Sequence, residues 1–475
     1  MNYILGESRD QIKIECSNEF IDQDNEVRVI DKIIDVLNIE ALGFIVGKNE
    51  ATGRPMYNPR DLLKLYIYGY FNGTRSSRKL AKQAIINKEV IWLIKGVQPK
   101  YRVIADFRKD NVESLHKVFE SFVDLCIEIG LYGKDLIAID GTKIEASASK
   151  RKHYSKNKLV KMKKRVQDRI NEYLHDLEKN DSIENCEDVK IMKEEIKKSI
   201  EKLEDKIKYY EEIEKELEEE QINEINFTDR DARTVKFGAN QGTDVGYNIQ
   251  SVVDSKNNLI VTYDVSNNSA DQGQLYNMST KAMDALAVDK IEVVADKGYF
   301  DTEDLKKCEE NKITTYISKP QYANSIGDSR YFSNKFKYNP ESNTYTCPEG
   351  KILACATKKN DVKERKYINF GACNKCKNKD KCTTTKKGRI INRKANEDIV
   401  EIVNKRTKEN MNKYNQRKSM VEHPFGTIKR TMNFYYLLTR GFKNVRGEIS
   451  MAFFSYNLKR VINIMGVSRL IEAID

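Results

Sequence analysis

Apolar residues recur at helical spacing through the first 130 residues of the chain. Residues 25–37 carry Val27, Ile30, Ile33, Ile34 and Leu37 on one face. Residues 61–70 and 76–86 are predicted as two short helices joined by a turn at Asn72-Gly73, the size of a helix-turn-helix. Arg75, Arg78, Lys79 and Lys82 would give the second helix a basic side; the alternative is an ordinary pair in a helical bundle. A further helix over 110–129 buries Val112, Leu115, Phe119, Phe122, Val123, Cys126 and Ile127, with His116 at an interface.

The period then changes. Leu136-Ile-Ala-Ile139 is an uninterrupted apolar run that ends on Asp140 and is broken by Gly141, the pattern of a strand buried on both faces. Strands are expected again over 234–237, 245–253, 259–265, 291–295 and 314–317, with helices over 270–286 and 302–310. Between the first strand and the rest, residues 157–222 shift to Lys, Glu and Ile. Leu159, Met162, Val166, Ile170, Tyr173 and Leu177 repeat every three or four residues, and Ile196, Ile200, Leu203, Ile207, Tyr210 and Leu217 do so after a polar break. That pattern predicts an antiparallel coiled-coil hairpin inserted into an α/β domain and projecting from it. The expected architecture is a helical N-terminal domain (1–130) and a mixed sheet flanked by helices (131–475), with insertions at 157–222 and 320–395.

The second insertion holds five of the nine cysteines, between Cys347 and Cys382. Cys373 and Cys376, with Cys347 and Cys382, can make a tetrahedral thiolate Zn²⁺ site; Cys355 competes for one ligand position. The alternative is a reduced, metal-free cluster. His175 and Cys186 fall in the helical hairpin without metal spacing.

Charge adds a partner. The net charge of +11 arises from 83 basic and 72 acidic residues. Acidic residues crowd into 201–220, while basic ones dominate 386–418 and 429–460, which suggests an anionic polymer. No run of eighteen apolar residues occurs, so no membrane span is expected. The first residues lack the layout of a secretory signal, and a cytoplasmic, nucleoid-associated protein is expected.

The strand-like run ending at Asp140 has a counterpart, Ile291-Glu-Val-Val-Ala-Asp296. Two aspartates delivered by buried strands raise each other's pKa unless a cation compensates, and a pair of divalent ions is the usual solution. Further on, Val421, Phe425, Ile428 and Met432 form a helical stripe. Glu422 sits at its border, and Lys429 lies two turns along. Pro424 and Gly426 predict a helix start or kink beside Glu422, and His423 is expected to be structural.

Asp140 and Asp296 ending strands, followed by Glu422 on a late helix, resemble the layout of DDE-type transposases of bacterial insertion sequences. The wording is similar too: Asp140-Gly-Thr-Lys143, Asp296-Lys-Gly-Tyr299 and Glu422-His-Pro-Phe-Gly-Thr-Ile-Lys429. The N-terminal part, with Tyr57-Asn-Pro59 and Gly73-Thr-Arg-Ser-Ser-Arg78, looks like the helical domain of the same group. The resemblance implies an RNase H-like catalytic domain in which Asp140, Asp296 and Glu422 hold two Mg²⁺ or Mn²⁺ ions. It further implies cleavage of element ends in double-stranded DNA and joining of the 3′-OH to target DNA by a homodimer. Lys143, Lys297, Arg417, Lys418, Lys429 and Arg430 are the candidate DNA contacts. Many members place an arginine and a tyrosine upstream of the glutamate; here those slots hold Lys418 and Asn415, with Arg417 and Tyr414 displaced by one. The rival readings are a metal-dependent nuclease without strand transfer and a catalytically inactive DNA-binding derivative.

Overall fold

The computed structural model describes residues 16–46, 55–181, 187–237, 242–320, 326–357 and 364–474. The first residues, Cys186 and the connector of the helical hairpin lie outside them. Six helices come first: α1 (Glu26–Val36), α2 (Pro59–Phe71), α3 (Ser77–Ile86), α4 (Lys88–Leu93), α5 (Tyr101–Asp110) and α6 (Val112–Glu128). Their starts are written locally. The side chains of Asn25, Asn58 and Asn87 each accept a backbone N–H of the first turn, and Pro59 needs no partner for a missing N–H there.

The helix-turn-helix expectation is altered by burial. Helix α2 is buried from Leu62 through Phe71, including the ammonium-bearing Lys64, which pairs with Asp31 and Asp35. Arg75 does not join a basic face either. It is buried, its guanidinium on Glu448 and on the carbonyls of Asn433 and Tyr436. Of the four basic residues expected on the second helix, Arg78, Lys79 and Lys82 are exposed.

The main sheet contains β1 (Leu136–Glu145), then, after the hairpin, β4 (Arg233–Lys236), β5 (Thr243–Asp254), β6 (Ile260–Ser266), β7 (Ile291–Ala295) and β8 (Ile313–Tyr316), with α9 (Leu275–Leu286) and α10 (Thr302–Glu310) between the last strands. Strand order is β4-β5-β1-β7-β8, and β6 also pairs with β5. Strands β1, β7 and β8 are parallel; β5 runs antiparallel to β1 and β6. The first two parallel strands read as continuous apolar runs because both faces are covered. On one face Leu136, Ala138 and Val294 pack against Met420 and Val421 of α14 (Met411–Gly426). On the other, Ile137, Ile139 and Val293 join a cluster that takes in α6, α9 and the N-terminal helices. Through that cluster runs α15 (Phe442–Met465), followed by α16 (Val467–Ile474). The basic C-terminal stretch is therefore largely core: α15 is buried at Val445 and from Gly447 to Leu458.

The predicted hairpin is present as α7 (Lys156–Asp181) and α8 (Glu187–Glu219). Leu159, Val166 and Ile170 meet Tyr210, Ile213 and Leu217, and Lys163 near the start of α7 pairs with Glu214 near the end of α8, so the helices are antiparallel. A short pair, β2 (His153–Ser155) and β3 (Glu224–Asn226), closes the hairpin at its base. The cysteine-rich insertion, whose strands have three to five residues, forms an antiparallel sheet in the order β13-β12-β11-β10-β9. Its strands are β9 (Lys337–Asn339), β10 (Thr344–Thr346), β11 (Ile352–Cys355), β12 (Glu364–Ile368) and β13 (Ile390–Lys394), with α11 (Phe370–Asn374) and α12 (Lys379–Cys382) before β13 and α13 (Glu397–Glu409) after it. Strands so short carry too few alternations to read from the pattern alone. Among the described residues no helix is long and apolar enough to cross a membrane.

Candidate active site

Parallel pairing decides where the two aspartates meet. The strand expected to end at Asp140 runs on to Glu145, because Gly141 to Glu145 stay paired with β5; Asp140 therefore lies within β1, and the register of Ile139 with Ala295 sets it beside Asp296, where β7 ends. Adjacent strands lie about 4.8 Å apart, which brings both carboxyl groups into one site. Asp296 also caps the turn Lys297–Tyr299 by accepting the N–H of Lys297 at 2.8 Å. The Asp140 carboxyl is pushed up to about 6, chiefly by burial, against the opposing pull of Arg417 and of the Gly141 backbone; Asp271 and Asp296 push it further up.

Arg417 reaches this edge from α14, its guanidinium 3.8 Å from an Asp296 oxygen. Tyr414, three residues earlier, packs against the same sheet face. The arginine and tyrosine displaced by one residue from the family spacing are thus the ones facing the sheet, and Lys418 and Asn415 are exposed. Helix α14 runs from Met411 to Gly426 with Pro424 inside it, so no helix starts beside Glu422. The irregularity comes later, as a π-helical turn over Thr427–Thr431. The wider turn directs Lys429 at β1, where its ammonium donates to Thr142 Oγ1 at 2.6 Å and to the Lys143 carbonyl at 3.3 Å. Burial lowers the Lys429 pKa, Asp140 raises it and Lys143 lowers it further.

The other candidates are placed as follows. Glu422 lies on the exposed side of α14, and the charged groups acting on Asp140 are Arg417, Asp271 and Asp296. Among the described residues no group of three or more His, Cys, Asp or Glu stands at metal-binding spacing. Lys297 and Arg430 are exposed. Lys143 points to the face opposite Asp140, as strand alternation requires, and pairs with Asp271 at 2.9 Å. His423 bonds Tyr456 and His116 bonds Tyr263, both packing contacts.

Asp271 was not expected from the pattern. It lies in the connection from β6 to α9 and accepts from Lys143, Asn248 and Gln250. The available signal was polar: Asn248, Gln250 and Ser251 interrupt a strand otherwise apolar enough to be buried, and all three are fully buried.

In the cysteine-rich insertion, Cys347, Cys373, Cys376 and Cys382 line one cavity of about 40 Å³, which Cys355 does not line. The backbone N–H of Lys351 points at Cys347 Sγ, 3.3 Å away, and Cys376 closes a turn onto the Cys373 carbonyl. Burial raises the Cys382 thiol, Arg389 lowers it, and the other three cysteines raise it further.

Residues 346–462 match the family model described as Transposase DDE domain, a stretch that includes α14 and the cysteine cluster. Residues 15–110, the N-terminal helices α1–α5, match Transposase domain (DUF772). No curated protein and no solved structure matches the chain. The two matches, a Transposase DDE domain and a transposase domain on one chain, support a DDE-type transposase of an insertion sequence.

Proposed function

We propose that the chain cleaves the ends of its insertion sequence and joins the freed 3′-OH to target DNA at a site made by Asp140, Asp296 and Glu422. The observation that carries this reading is the pair Asp140, within β1, and Asp296, just past the end of β7, side by side on adjacent parallel strands. Two carboxylates there, one of them largely desolvated, form a hard-oxygen site whose charge a divalent cation neutralises. The donor chemistry of the two aspartates therefore fits Mg²⁺ or Mn²⁺, and Glu422, on the exposed side of α14, is the third carboxylate proposed to join them. When bound, two such ions would polarise the scissile phosphate and activate the attacking oxygen. The strand order β6-β5-β1-β7-β8, antiparallel at β5 and parallel from β1 to β8, supports assignment of the sheet as RNase H-like.

The chain's own cations complete the site. Lys429 stands on the Asp140 side of β1, where its ammonium can contact a phosphate oxygen, and Arg417 orients Asp296. Exposed Lys297, Lys418 and Arg430 extend the positive surface to the flanking duplex, while Lys143 is held by Asp271 and acts from behind the strand. The N-terminal helices, through Arg78, Lys79 and Lys82, would grip the terminal repeat, making affinity fall steeply with salt. Pairing of two element ends calls for a homodimer. A strand-transfer assay with labelled element ends and a circular target tests the reading: joined products are expected with Mg²⁺ or Mn²⁺. Cleaved ends that are never joined would favour a nuclease instead, and the absence of cleavage would favour a DNA-binding derivative.

The four cysteines around one cavity support a structural Zn²⁺ held by Cys347, Cys373, Cys376 and Cys382. Purified protein is expected to carry one zinc per chain, and Cys376→Ser to lose it. Chelation should lower the melting temperature of the wild type while leaving that of Cys376→Ser unchanged. Zinc content near zero in freshly prepared wild type would reject the site.

A further inference from the structure

Asp271 is the point at which the strand carrying Asp140 and the turn carrying Asp296 are tied together. One of its oxygens accepts from Lys143 Nζ at 2.9 Å, from Asn248 Nδ2 at 2.8 Å and from Gln250 Nε2 at 2.9 Å; the other lies 3.1 Å from Lys143 Nζ. Lys143 belongs to β1, three residues beyond Asp140; Asn248 and Gln250 belong to β5, directly opposite Lys143 and Gly141. The chain of bonds goes on, because the Tyr299 hydroxyl donates to Gln250 Oε1. Tyr299 is fully buried and closes the turn that Asp296 caps.

Gly141 makes this convergence possible. A Cβ there would stand 2.6 Å from Gln250 Nε2 and 2.8 Å from Asp271 Oδ1, closer than any side chain tolerates. Gly298, on the Asp296 turn, is close to the same carboxylate, a Cβ there meeting Asp271 Oδ2 at an ordinary contact distance of 3.8 Å. The Lys143 charge is compensated within the pair, and the pair is mostly withdrawn from water.

We propose that Asp271 is a positioning residue: through Lys143 on one side and Gln250–Tyr299 on the other, it sets the separation of Asp140 and Asp296 and so the affinity of the site for a divalent cation. This rests on the metal-binding reading of those two aspartates given above. Metal binding depends on ligand spacing to within fractions of an ångström, so a loosened turn weakens binding before it unfolds the sheet.

The test measures Mn²⁺ binding to the full chain without DNA, by calorimetry or by the loss of free-ion resonance signal, for Asp271→Asn, Tyr299→Phe and Asp140→Asn. Tyr299→Phe removes one hydroxyl and keeps the ring packing, which guards against a variant that merely fails to fold. For Asp271→Asn and Tyr299→Phe, Mn²⁺ affinity is expected to fall on the order of tenfold, in line with loss of a supporting shell. Cleavage at saturating Mn²⁺ should return to within a few-fold of wild type. Wild-type Mn²⁺ affinity in both, with only a lowered melting temperature, would reduce Asp271 to a structural residue and overturn the proposal. Asp140→Asn separates the two claims: if it too binds Mn²⁺ like wild type, the metal-site reading fails; if it alone loses binding, the positioning role fails.

Discussion

Asp140→Asn is expected to lower DNA cleavage on the order of 10³-fold or more and at the same time to make the metal-free protein more stable above pH 6. The first effect follows from the proposed metal-ligand role of Asp140, whose removal would cost several kcal/mol of transition-state stabilisation. The second follows from linkage. The Asp140 carboxyl titrates at about 6 in the folded chain, against about 3.9 when unfolded. The folded state therefore binds its proton more tightly, and stability drains away as pH rises from about 4 to 6. Above that window the ionised carboxylate costs about 1–3 kcal/mol, the upper figure being two pKa units undiscounted for partial exposure. Asparagine does not titrate. Its stabilising effect should be full at pH 7–8 and absent below about pH 4, measured by denaturant unfolding in the presence of a chelator. Asp296→Asn should abolish cleavage likewise. Cleavage within tenfold of wild type in either variant would remove that residue from the chemistry, while retained binding to element ends would show the fold and DNA grip intact.

Arg75→Ala should destabilise the chain by about 3–5 kcal/mol, because it leaves a buried carboxylate uncompensated. Glu448 is fully buried and Arg75 nearly so, with 3.0 Å between Nη1 and Oε1. The guanidinium also covers the rings of Phe434 and Tyr436 at 4.4 and 4.8 Å. Glu448 accepts in addition the N–H groups of Leu438 and Thr439 and the Thr439 hydroxyl. That second set of bonds decides the outcome of a double replacement. Arg75→Met with Glu448→Leu removes the charge imbalance, yet it leaves three donors without their acceptor, at about 1–3 kcal/mol for each that stays dry. The double variant should consequently be less damaged than the sum of the single ones but still well below wild type in unfolding free energy. Full recovery would mean that the ion pair is dispensable and that water reaches the loop.

The consequence extends to the site. The loop that Arg75 and Glu448 hold follows the π turn of Lys429 and pairs with the end of β1, Leu437 donating to the Glu145 carbonyl at 2.8 Å. Arg75, from the N-terminal helices, thus fixes the far end of the strand that carries Asp140 through a C-terminal loop.

Local physics was legible in the chain. The apolar run stopping at Asp140 marks a strand because a segment covered on both faces must be apolar throughout, and the same holds for the run before Asp296. Helices α1, α6, α7, α8 and α10 follow from three-and-four spacing, with outer boundaries within three residues of the expected ones. Cys373-Asn-Lys-Cys376 is legible for the same reason: four residues suffice to write a turn.

What the chain alone could not say is which distant side chains face one another. Arg75 looks like a surface cation until Glu448, 373 residues away, is folded onto it. Asp271 reads as part of the helix expected over 270–286, which in fact starts only at Leu275, until pairing of β1 with β5 brings Lys143, Asn248 and Gln250 around it. The rotation of α14 belongs here too: Arg417 turns to Asp296 and Glu422 to the exposed side because Met420 and Val421 claim the sheet. Periodicity is a property of neighbours along the chain, so composition and spacing determined the elements and the identity of the two strand-borne acids. Facing is a property of packing, where one buried stripe sets the orientation of a whole helix, and only the tertiary structure decided which charges share the site.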